Sequence, residues 1–153
     1  MIQRIQSLFL LITAIVAGLM FFMPVASLTI PDESTYAFFT TKVVQVATPP
    51  VFIAYNWASM ALNAMTFLLP LVIILLYKKR FLQMRLCVVN IILLIGMIVL
   101  MWVQVSNMTG ETEAGRQLGI SFCFPLIGII LTWLALRAII KDITLLKSFD
   151  RIR

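Results

Sequence analysis

The sequence has no histidine, only two cysteines and few charges: six acids and twelve Lys and Arg in 153 residues. The lack of histidine excludes Cys–His catalysis and imidazole-ligated metal centres. Cys87 and Cys123 form no CxxC, so a quinone-linked thiol oxidoreductase would have no redox centre. The two read as buried apolar thiols near opposite faces of a bilayer. That puts them roughly 20–30 Å apart, too far for a disulfide, which needs about 4.4–6.8 Å between Cα atoms. There is no internal repeat or low-complexity tract.

Charge is scarce where it would matter most. Four long uncharged runs lie between Arg4 and Asp32, Lys42 and Lys78, Arg85 and Glu111, and Arg116 and Arg137. Ion-coupled transporters place ionisable groups inside the membrane despite the cost, and a small multidrug exporter needs an embedded carboxylate. None of the six acids falls within a span, which argues against proton coupling through a buried acid. No acid, base, nucleophile or metal set is visible, so the expectation is a protein without enzymatic activity or cofactor.

Apolar residues dominate instead, at 62% against 12% charged, with a mean hydropathy of +1.07. A soluble domain carries about twice that charge fraction, and one of this size cannot hide so much apolar surface. Each run reaches the ~20 residues needed to cross about 30 Å of hydrocarbon. In "LCVVNIILLIGMIVLMWVQVS" thirteen Leu, Ile and Val contribute on the order of −4 to −8 kcal/mol to insertion, ample to carry Asn90 and Gln104. The expected fold class is an all-α membrane protein. It is a single domain over residues 1–153, a bundle of four transmembrane helices over 5–27, 55–77, 86–106 and 117–136. The first span begins like a signal peptide, but its apolar part outruns the usual 7–15-residue core and reads as a retained helix.

The basic residues sort by side. Arg4, Lys78, Lys79, Arg80, Arg85, Arg137, Lys141, Lys147, Arg151 and Arg153 share one side; Lys42 and Arg116 share the other with Asp32, Glu33, Glu111 and Glu113. The positive-inside rule places both termini, loop 78–85 and tail 137–153 in the cytoplasm. Tyr55, Trp57, Tyr77 and Trp133 suit the headgroup level near span ends. Net charge of +6 thus reads as membrane orientation, and no nucleic-acid partner is expected. The partners expected are anionic headgroups at the cytoplasmic face, and a membrane-protein partner or a second copy of the chain. Arg4, Lys78, Lys79, Arg80, Arg137, Lys141 and Arg151 are the candidate lipid- or partner-binding face.

Of the outer segments, 107–116 is short and 28–54 long. "STYAFFTTKVVQVAT" is rich in Tyr, Phe, Thr and Val, which favours a short hairpin or strand pair that must pack on the helix ends, since two strands alone are marginal.

Asn56, Ser59, Asn63, Thr66 and Pro70 recur at spacings that line one helix face. Packing between helices is the first reading of this face; a polar pocket, with Asn90 reaching the Pro70 region, is the second. Pro70 leaves the Thr66 carbonyl without its usual donor. Met97, Met101 and Met108, with Met20, Met23 and Met60, could offer thioethers to Cu(I), but methionine is first a gap-filler. Gly96, Gly119 and Gly128 read as close-packing points.

In "LRAIIKDITLLKSFDRIR" the residues Arg137, Lys141, Thr144, Ser148 and Arg151 fall on one helical arc, and Leu136, Ile139, Ile140, Ile143 and Leu146 on another. This reads as the fourth helix continuing past the membrane, either bending onto the surface or packing under the "KKRF" loop. The start "MIQRIQSLFLLI" and this end resemble those of a bacterial family of integral membrane proteins about 150 residues long, a domain of unknown function, with Ile143 and Ile152 as departures from its pattern. No activity comes with that resemblance. It implies weight on Gln3, Arg4, Gln6, Asp142, Ser148, Asp150 and Arg151. The function expected is a non-enzymatic accessory or scaffold protein of the inner membrane, with a small oligomeric transporter or channel using the second helix's polar face as the alternative.

Overall fold

In the computed structural model, residues 2–30, 34–46, 50–77, 79–108 and 115–150 are described, with side chains for 5–29, 35–46, 50–77, 79–107 and 117–145. In chain order the elements are α1 (Ile2–Leu19), β1 (Pro24–Ile30), β2 (Ser34–Phe39), β3 (Lys42–Val46), β4 (Val51–Tyr55), α2 (Trp57–Leu75), α3 (Arg80–Met108), β5 (Gly115–Leu118), a 3-10 turn (Ile120–Cys123) and α4 (Phe124–Asp150). Four helices are therefore present, as expected, but the protein is not all-α. Strands β1 to β4 form an antiparallel meander, and β5 pairs with β1 to give the order β4-β3-β2-β1-β5. The predicted hairpin is the centre of a five-stranded sheet.

The first helix ends eight residues before its predicted end at 27. Pro24 cannot donate to a helical carbonyl and disfavours the helical conformation of Met23 before it. The chain closes α1 with turns through Phe21, Phe22 and Met23 and enters β1. Tyr55, predicted to open the second span, is the last residue of β4, and 117–118, predicted to open the fourth, belong to β5. Loop 78–85 is mostly helix, because α3 starts at Arg80. Tail 137–150 continues α4 without a break.

Each helix packs on two others: α1 on α2 and α4, and α3 on α2 and α4. The α3–α4 pairing keeps one register, with Arg80 meeting Asp142, Asn90 meeting Thr132 and Leu94 lying against Gly128. At 1.5 Å per residue α3 and α4 are roughly 43 and 40 Å long, and α1 and α2 about 27 and 28 Å. In that register α3 runs past the start of α4 at one end and α4 past the start of α3 at the other. The projecting end of α3 carries the sheet: Val105 packs with Ala26, Leu28, Phe38 and Val43.

The sheet is tied to the helix ends by specific bonds. Thr40, in the tight turn between β2 and β3, is buried and donates its hydroxyl to the Met20 carbonyl at 2.8 Å, satisfying a carbonyl at the end of α1. The Asn56 amide donates to the Thr41 carbonyl at 2.9 Å and so attaches α2 to the same turn. Gly119 donates to the Val25 carbonyl at 2.8 Å; a Cβ on Gly119 would lie 2.5 Å from the Pro24 carbonyl oxygen. That position is a close-packing point as expected, and so is Gly128, whose added Cβ would meet Leu94 at 3.3 Å. Gly96 is not, since its nearest neighbour would be Leu62 at an ordinary 4.0 Å.

Candidate functional site

The helices are arranged opposite to a water-soluble core. Ser59, Asn63, Thr66, Asn90 and Thr132 are fully buried, whereas Ile92, Val99 and Ile130 are 62%, 56% and 58% exposed. Three helices are long and apolar enough to cross a membrane. Apolar faces of that length turned outward suit hydrocarbon, and the polar side chains gathered inside must then satisfy one another.

They do so in three separate groups. At the sheet end Asn56 and Gln104 exchange amide hydrogen bonds, Asn56 Nδ2 to Gln104 Oε1 at 3.1 Å and Gln104 Nε2 to Asn56 Oδ1 at 3.0 Å. Gln104 Nε2 also donates to Ser59 Oγ at 2.6 Å. Farther along α2, Thr66 donates to the Asn63 carbonyl at 2.9 Å and lies 3.4 Å from its Oδ1. Asn90 turns toward α4, donating to Thr132 Oγ1 at 3.1 Å, and Thr132 donates to the Gly128 carbonyl at 2.7 Å. Of the predicted polar face, Ser59, Asn63, Thr66 and Pro70 of α2 are buried and Asn56 at its start is half-buried, whereas Asn90 of α3, expected to reach the Pro70 region, has its hydrogen-bond partner on α4. Bonds of this kind between membrane helices contribute about 0.6–2 kcal/mol each. Within these three groups, two buried atoms have no hydrogen-bond partner, Asn63 Nδ2 and Asn90 Oδ1.

The methionines divide. Met20, Met97 and Met101 are buried with Val25, beside Leu62, Phe122 and Phe124, while Met23 and Met60 lie exposed. The side chain of Met108 lies outside the described residues; of the other five, the buried three fill apolar space. Cys87 is buried among Leu10, Ile73, Ala135, Ile139 and Ile143. Cys123, contrary to the expectation of two buried thiols, is exposed, because the 3-10 turn that carries it presents Ser121 inward instead.

The other end of the helices holds a second polar group, built around the turn from α2 to α3. Arg80 Nη1 donates to Asp142 Oδ2 across the α3–α4 interface, with the two side chains 26% and 17% exposed. This gives Asp142 its place among the cations. It also settles how the tail lies: α4 packs beneath the start of α3, with Ile139 and Ile143 in the core, rather than bending away. Gln83 donates Nε2 to the Ile73 carbonyl at 2.8 Å and so satisfies a carbonyl near the end of α2. Beside them a cleft of about 380 Å³ opens between α1, α2 and α3, lined by Gln6, Leu10, Ile74, Tyr77, Arg80 and Gln83 among others. Gln6 is 7% exposed, and its Nε2 has no hydrogen-bond partner, an arrangement that costs about 1–3 kcal/mol.

Arg80 is paired and partly buried, Arg137 stands 4.9 Å over the Trp133 ring, and Lys79 and Lys141 are exposed. Lys78, Arg151 and Arg153 lie outside the described residues, as do the side chains of Arg4, Lys147 and Asp150. Gln83 and Thr132 were not singled out in the sequence, because each has its partner on another helix. For Thr132, an isolated polar residue in an apolar run was the only signal available.

No curated protein matches the chain. One family model matches residues 2–152, nearly the whole length, in keeping with the resemblance at the two ends. The chain belongs to that family, the domain of unknown function DUF4293.

Proposed function

We propose that the protein is a non-enzymatic integral membrane protein, a four-helix bundle in the bacterial inner membrane that serves as an accessory or scaffold for a membrane partner. The observation that carries this reading is the inversion of the helices, apolar outside and polar inside, with most of the interior polar groups bonded to one another. Such groups hold helices together and leave the outward faces to lipid or a partner helix. Both termini and the turn from α2 to α3 lie in the cytoplasm on this reading, and the sheet lies at the outer surface. The distribution of Lys and Arg supports that orientation. The sheet, whose exposed edge strand β4 leaves backbone groups that cannot sit in hydrocarbon, fits a position outside the bilayer core.

A small oligomeric transporter or channel is the second reading. It is favoured by one observation, the two unpaired atoms Asn63 Nδ2 and Asn90 Oδ1 inside the helices, where water or a solute could bond.

Photo-crosslinking in intact cells separates the two. A crosslinker at the exposed Thr144 of α4 is expected to capture one foreign membrane protein in stoichiometric yield. Capture of this chain alone, through α2, would replace the scaffold by the oligomeric reading. Reporter fusions to the C-terminus check orientation: activity only of a reporter that matures outside the cytoplasm would reverse it.

A further inference from the structure

The cleft at the turn between α2 and α3 has the composition of a site for an amphiphile. Its wall includes Leu10 and Ile74, and Gln6, Tyr77 and Arg80 supply polar groups. At about 380 Å³ it falls within the usual range for small-molecule sites, roughly 300–1,000 Å³. We propose that it binds the singly charged phosphodiester of an anionic phospholipid. The lipid's acyl chains would continue along the apolar side of the cleft. This inference rests on the membrane reading above and names a ligand for it.

Three observations select that chemistry. Gln6 lines the cleft, is more than nine-tenths buried, and holds an amide nitrogen that donates to nothing; a donor in that state calls for an acceptor. Arg80 lines the same cleft. Asp142 takes its Nη1, which orients the guanidinium while the group retains further N–H donors for a second oxyanion. Gln83, by contrast, is occupied by the Ile73 carbonyl and serves as wall. The charge balance then sets the ligand's charge. Asp142 already offsets Arg80, and among the described residues the adjacent Lys79 is an exposed cation. A monoanionic diester suits that balance better than a dianionic monoester. The apolar wall favours a phosphate that carries chains over a free one.

The test uses the full chain purified in neutral detergent. Thermal unfolding and native mass spectrometry are followed with added phosphatidylglycerol, phosphatidylcholine or inorganic phosphate. Phosphatidylglycerol is expected to raise the unfolding midpoint saturably and to remain bound at one molecule per chain, with phosphatidylcholine at least tenfold weaker and inorganic phosphate without effect. Gln6→Leu removes the unpartnered donor, so the lipid-free variant should be at least as stable as the parent and yet bind phosphatidylglycerol about tenfold more weakly. The pair Arg80→Gln with Asp142→Asn should abolish the preference for phosphatidylglycerol over phosphatidylcholine. Undiminished phosphatidylglycerol binding by Gln6→Leu, or equal binding of the two lipids by the parent, overturns the proposal. An equal, saturable shift with inorganic phosphate would assign the cleft to a free anion and overturn the lipid. Failure of the membrane reading would appear elsewhere, as release of the chain from cell membranes by alkaline carbonate.

Discussion

The two ends of the helices are held together by different means. At the sheet end the chain relies chiefly on backbone, five strands and Gly119 against Pro24 and Val25, with the Thr40 hydroxyl and the Asn56–Gln104 pair adding side-chain bonds. At the turn end it relies on side chains: the Arg80–Asp142 pair, Gln83 on the Ile73 carbonyl, and an apolar cluster drawn from all four helices. The difference follows from how many connections each end must manage. Two strand-bearing connections, from α1 to α2 and from α3 to α4, converge on the sheet, and strands must hydrogen-bond to neighbours, so precision lies in backbone approach. The turn end has one short connection, and side chains suffice to lock the helices.

This contrast can be broken at single positions. The largest effect is expected at Gly119. Gly119→Ala forces a methyl group onto the Pro24 and Val25 backbone and should cost about 2–3 kcal/mol, read as a lower unfolding midpoint in detergent. Hydrogen exchange should rise across β1 and β5 while the start of α3 stays protected. Equal loosening of both ends would show that they unfold as one unit. Next is the ion pair. Asp142→Ala leaves Arg80 partly buried without its acid, and since both side chains keep some exposure the loss should be about 1–2 kcal/mol, below that of a fully buried pair. A double-mutant cycle with Arg80→Ala tests it: independent, additive losses would mean the pair does not couple α3 to α4.

Gln104→Leu should cost about 1 kcal/mol, because Asn56 and Ser59 both lose their partner. Asn63→Leu, whose Nδ2 bonds nothing, should cost less, and thermal unfolding of the two variants side by side gives the ranking. The reverse ranking would point to a role for Asn63 beyond helix packing. Smallest of all is Thr40→Val, which loses one hydroxyl bond to the Met20 carbonyl; a loss of about 0.5–1.5 kcal/mol confined to the sheet end is expected on the same thermal measurement.

What could be read in advance follows a physical divide. The inward face of α2 was legible because Ser59, Asn63, Thr66 and Pro70 recur at helical spacing within an apolar run, and all are buried. The helical tail was legible from the separation of apolar and basic arcs. Strands β1 and β4 were not, since short apolar runs such as "PVASLTI" and "VFIAY" look alike in helix and strand. Strand β5, "GRQL", has no strand pattern of its own; it is extended because Ala26 to Thr29 of β1 offer a free edge to Gly115–Leu118. The same holds for the candidate cleft. Gln6 drew notice only through the family resemblance, and nothing local places it near Arg80.

The sequence by itself determined four apolar stretches and the side on which the cations accumulate, because hydrophobicity and charge act over a local window and need no partner. Only the tertiary structure decided where α1 stops, how five strands assemble from two separated segments, and which polar side chains meet. Those outcomes depend on hydrogen bonds between residues far apart in the chain. Arg80 and Asp142 stand 62 positions apart, and only the packing of α3 against α4 makes them a pair.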